Sequence, residues 1–160
     1  MDLSALSPRY AVRKLNAGDV KIIYGLCCQN RLFYQYNPPF VTEESILGDL
    51  AALPPGKTAE DKYYIGFFDG DRLVAVMDLI LDYPSRNVAF IGFFMTDVRY
   101  QRRGIGSGIV ADAAGYLKAQ KFERIRLGVD KGNPQSYAFW RKNDFAVIGE
   151  EKYILMERIL

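Results

Sequence analysis

Two apolar runs, residues 63–68 and 73–81, flank the tetrapeptide Asp69-Gly70-Asp71-Arg72, and this restricts the fold more than any other stretch. Glycine beside aspartate between two such runs is a tight-turn signal, so the pair reads as an antiparallel hairpin. A third run, residues 88–98, follows a turn at Pro84-Ser85 and extends the antiparallel part. The pattern then changes. Glycines stand at 104, 106 and 108, and Ile109, Val110, Ala113, Ala114 and Leu117 recur at helical spacing, which predicts a helix over about 106–121. Residues 124–129 read as a strand again, and the strand–helix–strand unit 88–129 is long enough for a parallel crossover. Hairpins joined to a crossover predict an α/β chain of mixed α+β type. Its central sheet is mixed, mostly antiparallel, and flanked by helices on both faces.

The flanks fit around that centre. Residues 10–15 alternate as a short strand, and 17–30 read as a helix with Ile22, Ile23 and Leu26 on one stripe. The aromatic-rich segment 31–40 is stopped by Pro38-Pro39. Thr42 before Glu43-Glu44 and Ser45 marks the start of a helix ending near Leu53. Asn133-Pro134 starts a helix that runs to about Lys142, and strands near 145–148 and 152–158 follow. The predicted order is β-α-α-β-β-β-α-β-α-β-β. With no repeat or linker, the 160 residues are expected to form one domain, 1–160.

The chain holds no histidine. That removes Ser-His-Asp triads, Cys-His pairs, histidine proton shuttles and most zinc sites, so no metal is expected. Cys27 and Cys28 are adjacent, which disfavours a disulfide and reads as free thiols. No apolar run approaches membrane length, and the N-terminus lacks a basic start and an apolar h-region, so the expected location is cytoplasmic. Residues 1–80 carry 8 basic and 10 acidic side chains, and residues 81–160 carry 13 and 9. The basic excess is not a polybasic tail. It predicts a local anionic ligand rather than nucleic acid.

Val98 to Gly108, VRYQRRGIGSG, is the stretch to examine for that ligand. Glycines at the start of a helix let a phosphate approach free N–H groups and the positive end of the helix dipole. A solvated basic turn is the plainer reading of the same residues. The stretch lacks the Gly-Lys-Ser/Thr of a P-loop, and Ile109 stands where a dinucleotide fingerprint needs Gly or Ala, although Asp130 sits roughly where a ribose-binding acid would. A third pattern fits. Gln101-Arg102-Arg103-Gly104-Ile105-Gly106 matches Q/R-x-x-G-x-G/A, and Asn133, Ser136, Phe139, Trp140, Lys142 and Phe145 follow N-x-x-[AS]-x-x-[LF]-Y-x-K-x-G-F. On these two motifs and the element order from Tyr10 onward, the chain resembles the GNAT family of acyl-CoA N-acetyltransferases.

The resemblance implies the acyl-CoA N-acyltransferase fold, with acetyl-CoA as cosubstrate lying between two splayed strands. It implies that backbone groups of Met95, Thr96 and Asp97 pair with the pantetheine arm. The N–H groups of Gln101, Arg102, Arg103, Gly104, Ile105, Gly106 and Ser107 would hold the pyrophosphate, so a Cβ at Gly104 is expected to block it by bulk. Asn133 would cap its helix and contact the pantetheine. The implied reaction is direct transfer to a primary amine of a small molecule or peptide, through a ternary complex. The alternative is a catalytically weak CoA-binding sensor or interaction module of the same fold.

The chain departs from the pattern where Trp140 replaces the family's tyrosine acid. Trp140 is expected to wall the cofactor site. Tyr137, one turn earlier, reads either as a substitute acid or as packing. Asp144 replaces the expected glycine before Phe145. Asp78, Asp82 and Asp97 are base candidates, and each also reads as a strand-end or surface charge. Phe33, Tyr34, Tyr36 and Phe40 either line an acceptor pocket or pack in the core or against a second subunit, which leaves a homodimer open.

Overall fold

The computed structural model describes all of residues 1–160. Seven strands form one sheet: β1 (Ala11–Lys14), β2 (Lys62–Asp69), β3 (Arg72–Ile80), β4 (Val88–Thr96), β5 (Arg124–Val129), β6 (Ala146–Glu150) and β7 (Ile154–Ile159). They lie in the order β1-β2-β3-β4-β5-β7-β6, with β4–β5 as the parallel pair and every other neighbour antiparallel. The expected hairpin closes at Asp69 opposite Arg72, and Gly70 supplies the positive φ (+58°) at the first turn position.

Five helices flank the sheet: α1 (Val20–Cys27), α2 (Arg31–Tyr36), α3 (Glu43–Ala51), α4 (Ile105–Ala119) and α5 (Pro134–Lys142). On one face Ile109, Val110, Ala113 and Leu117 of α4 and Trp140 of α5 pack with Ile65, Phe67, Met77 and Leu127. On the other, Ile23 and Leu26 of α1 and Ile46 of α3 pack with Tyr64, Val76 and Met95. The stripe anticipated for α4 is the buried one, and on α1 Ile23 and Leu26 are buried while Ile22, expected beside them, is 44% exposed.

Two details differ from expectation. The first predicted helix begins as a 3-10 turn at Ala17–Asp19, tied by a reciprocal Asn16–Asp19 capping box, before α1 proper. The aromatic segment after it is helical, and this adds α2 to the predicted order. It has six residues and no side-chain cap, too few to hold a helix alone. Phe33 supplies the tertiary anchor, edge-on to Phe93 of β4 with centroids 5.6 Å apart.

Cys27 and Cys28 are free, and Cys27, the last residue of α1, is buried. Burial pushes its thiol up to about 12, only partly offset by a hydrogen bond with Tyr34. Thiolate is the reactive form, so alkylation of Cys27 in the folded protein at pH 8 is expected to be on the order of a thousandfold slower than in urea. Peptide mapping after iodoacetamide treatment checks this.

Candidate functional site

The site opens where the parallel pair comes apart. Pairing of β4 with β5 runs from Val88 opposite Arg124 to Ile91 opposite Leu127 and stops there. On its other edge β4 stays paired with β3 as far as Thr96 opposite Ala75. The departure coincides with an irregularity: Gly92 has no partner between Asp78–Phe93 and Leu79–Ile91. Glycine is required there, because a Cβ would stand 2.9 Å from Asp78 Oδ2.

A cleft of about 490 Å³ fills the gap, walled by Phe94, Met95 and Thr96 of β4, the start of α4, and Asn133 to Lys142 on α5. At the α4 start the chain turns left-handed twice, at Arg102 (φ +61°) and Gly104 (φ +75°). The first helical bond is Gly108 N–H to Gly104 O. The N–H groups from Arg102 to Ser107 have no partner within the protein. They form a row of free donors at the positive end of a 15-residue helix, a ready cradle for an anion. Gly106 lies against the walls: a Cβ there would meet Phe139 at 3.3 Å and the Thr96 methyl at 3.4 Å. Arg102 and Lys142 also line the cleft and supply positive charge to it. The sequence profile of the acetyltransferase (GNAT) family matches residues 29–145, a span that contains this whole cleft.

The chain belongs to the GNAT acetyltransferase family.

GNAT acetyltransferases also share its fold. An acetyltransferase from Thermus thermophilus superposes with a TM-score of 0.77 at 21% identity, covering 93% of this chain and 96% of its own. The PaiA N-acetyltransferase of Thermoplasma acidophilum, in complex with coenzyme A, gives 0.71 at 18% identity, with 93% and 98% covered. A phosphinothricin acetyltransferase from Sinorhizobium meliloti, in complex with acetyl-CoA, gives 0.65 at 15%, with 95% and 89% covered. No curated protein matches the chain.

The structure brings Met95, Thr96, Gln101, Arg102, Gly104, Gly106, Ser107, Asn133 and Trp140 to the cleft. Several of the backbone groups expected to meet the cofactor already have partners within the protein. The Asp97 N–H donates to Val74 O, and its carboxylate clamps Arg99 and is held below the usual carboxylate range by that contact. Thr96 O already accepts from the side-chain amides of Asn30 and Gln101 (3.2 and 3.1 Å). The Gln101 N–H turns back to Val98 O at 3.4 Å, and its side chain donates to Asn30 Oδ1 at 2.6 Å. Arg103 and Ile105 do not line the cleft. At Gly104 a Cβ would meet open space, so a side chain is disfavoured there by the left-handed backbone rather than by bulk.

Asn133 caps α5 through Ser136 N–H (3.1 Å). Trp140 is a wall: it packs edge-on to Phe139 and Phe145, with centroids 5.0 Å from each. Tyr137 does not reach the cleft. It is not among the residues that wall the cleft, although it lies within one helical turn of Trp140, and it is 37% exposed. The cleft lining thus lends the substitute-acid reading of Tyr137 no support.

The base candidates are likewise engaged. Asp82 receives the Asn87 N–H in a turn, Asp97 holds Arg99, and Asp78 pairs with buried Lys62 at 2.8 Å. Burial pushes the Asp78 carboxyl upward against the pull of Lys62. Of the aromatic cluster, Phe33 reaches the cleft, while Tyr34 packs between Phe33 and the half-exposed Phe40. Sequence reasoning missed Asn30 and Gln135. Asn30 sits just before α2, a helix not anticipated, and only the fold brings it to Thr96 and Gln101.

A second cavity of about 230 Å³ adjoins the first and shares Phe33, Phe94, Ser136 and Trp140 with it. It lies against the separated edges of β4 and β5, closed by Asn37 of the α2 end and Tyr153 of the β6–β7 turn. Asp130, just past β5, also lines it.

Proposed function

We propose that the protein transfers the acetyl group of acetyl-CoA to a primary amine of a small molecule or peptide, by direct attack in a ternary complex. One observation carries this reading: the unpartnered N–H row from Arg102 to Ser107 borders, through Arg102, Gly104, Gly106 and Ser107, a cleft that meets a second cavity at Phe94. In this reading the row and Arg102 hold the pyrophosphate, and the pantetheine arm runs along the free edge of β4 toward Phe94. Coenzyme A in the Thermoplasma neighbour and acetyl-CoA in the Sinorhizobium neighbour support the choice of donor.

The neutral amine attacks the thioester carbonyl from the second cavity. A backbone N–H on the β4 edge freed beyond Ile91 stabilises the oxyanion. The C–N bond forms, the C–S bond breaks, and the proton lost by the amine balances the one taken by the leaving thiolate. The chain has no histidine, and direct transfer needs none. No helix is long and apolar enough to cross a membrane.

Initial rates measured against both substrates test the reading. Intersecting double-reciprocal lines are expected. Parallel lines, the mark of an acetyl-enzyme, would overturn direct attack. Acetyl-CoA binding without transfer to any amine would replace the enzyme by a CoA-binding sensor.

A further inference from the structure

The second cavity carries one charge. Asp130 is its sole carboxylate, and no lysine or arginine lines it. The Asp130 carboxylate makes no ion pair and receives no hydrogen bond within the protein, although the residue is only partly exposed. Burial pushes its carboxyl upward, and Lys152 opposes that. Lys152 stacks on the Tyr153 ring at 5.3 Å and does not line the cavity. An unpaired carboxylate in a partly desolvated wall lacks a cationic partner. The rest of the lining is uncharged and rich in rings, Phe33, Phe90, Phe93 and Tyr153 among them.

These features select among amines. A free amino acid brings a carboxylate that would need a cation, and the lining cations, Arg102 and Lys142, belong to the first cavity. A polyamine brings several ammonium groups to a single carboxylate. A volume of about 230 Å³ suits a compact ligand rather than a folded or extended chain.

We infer that the second cavity takes the acceptor, and that the acceptor is a primary monoamine on a short aromatic or apolar body whose ammonium pairs with Asp130. This rests on the adjoining cleft being the acetyl-CoA site. The ammonium donates to the Asp130 carboxylate, which takes one proton and passes it to solvent before attack. The neutral amine then forms the C–N bond, and the second proton it loses balances the one taken by the leaving thiolate. The aromatic walls hold the body of the ligand, and Phe94 marks the passage to the thioester.

The test measures thiol release at saturating acetyl-CoA with 2-phenylethylamine, butylamine, glutamate, spermidine and a peptide with a free N-terminus. The two monoamines are expected to lead in kcat/KM by about tenfold or more. Asp130→Asn is expected to lower monoamine kcat/KM roughly 10- to 100-fold. Its affinity for acetyl-CoA, read by calorimetry, should not change. Neutral 2-phenylethanol should inhibit wild type and variant equally, because it needs no carboxylate. Asp130→Glu should recover part of the loss.

Preference for glutamate, spermidine or the peptide would overturn the inference, as would an Asp130→Asn variant with undiminished kcat/KM. In either case calorimetric binding of acetyl-CoA keeps the cleft reading intact. Failure to bind acetyl-CoA at all would overturn both.

Discussion

Gly106→Val is expected to weaken acetyl-CoA binding roughly a hundredfold or more while the domain stays folded. Gly106 lies in the first turn of α4, where its N–H is one of the free donors, and its Cα faces the cleft. Even a single Cβ would stand 3.3 Å from the Phe139 ring and 3.4 Å from Thr96. Valine adds two methyls to that contact and places them in the path between β4 and α5. Phe139 can yield little, being stacked on Phe94 at 5.8 Å and edge-on to Trp140 at 5.0 Å. Gly115→Ala on the same helix is the control, since nothing lies within 4 Å of its Cβ position and alanine favours the helix. Calorimetry with acetyl-CoA, with circular dichroism to confirm folding, reads the difference. Undiminished binding by Gly106→Val would place the cofactor elsewhere.

Lys62→Met is expected to destabilise the protein by about 3–5 kcal/mol at pH 7, because it leaves a buried carboxylate without its partner. Lys62 and Asp78 are 4% and 8% exposed and joined at 2.8 Å. Asp78 Oδ1 is buried with no partner, so Lys62 is the group that compensates this carboxylate. Asp49 is close enough to feel both charges, and burial pushes its carboxyl upward as well. Without Lys62 the Asp78 carboxylate stays in apolar surroundings beside the Gly92 irregularity, or it takes up a proton.

The sign of the pH dependence follows. Asp78 has a folded-state pKa above its unfolded value, so the folded protein binds the extra proton as pH falls. The deficit of Lys62→Met is therefore largest at neutral pH and narrows as pH is lowered through the raised folded-state pKa. Urea titrations at pH 7 and pH 5 check this. Lys62→Met combined with Asp78→Leu should recover most of the loss, because no charge is then left buried. A deficit below about 1 kcal/mol at pH 7 would show that the pair is compensated by something else.

The parts of this fold that were legible in the sequence are those fixed by local chemistry. Gly70 between two alternating runs marks a hairpin because the turn needs its backbone freedom, and the Gly104–Gly108 spacing before Ile109 marks a helix start for the same reason. Asn133-Pro134 announces α5 to the residue. What escaped depends on partners distant in sequence. Helix α2 looks like an irregular aromatic segment until Phe93 is brought against Phe33. Lys62 and Asp78 meet because the β2–β3 register puts Tyr64 opposite Asp78, leaving Lys62 as its diagonal neighbour.

The candidate site divides in the same way. Its anion cradle is written in consecutive residues, whereas its second cavity exists because β4 and β5 part after Ile91 and Leu127. In the sequence Asp130 is only an acid at the end of a strand, and nothing local shows that it lines a cavity, just as nothing local shows that Tyr137 lies outside both cavity linings.

Direct transfer of an acetyl group from the cleft to an amine is the central claim, and product analysis tests it most directly. Purified protein is incubated with acetyl-CoA and 2-phenylethylamine, and free CoA thiol and N-acetylated amine are quantified together. The two are expected to appear in equal amounts and only when both substrates are present. Thiol release that no amine accelerates above the amine-free background would contradict the account.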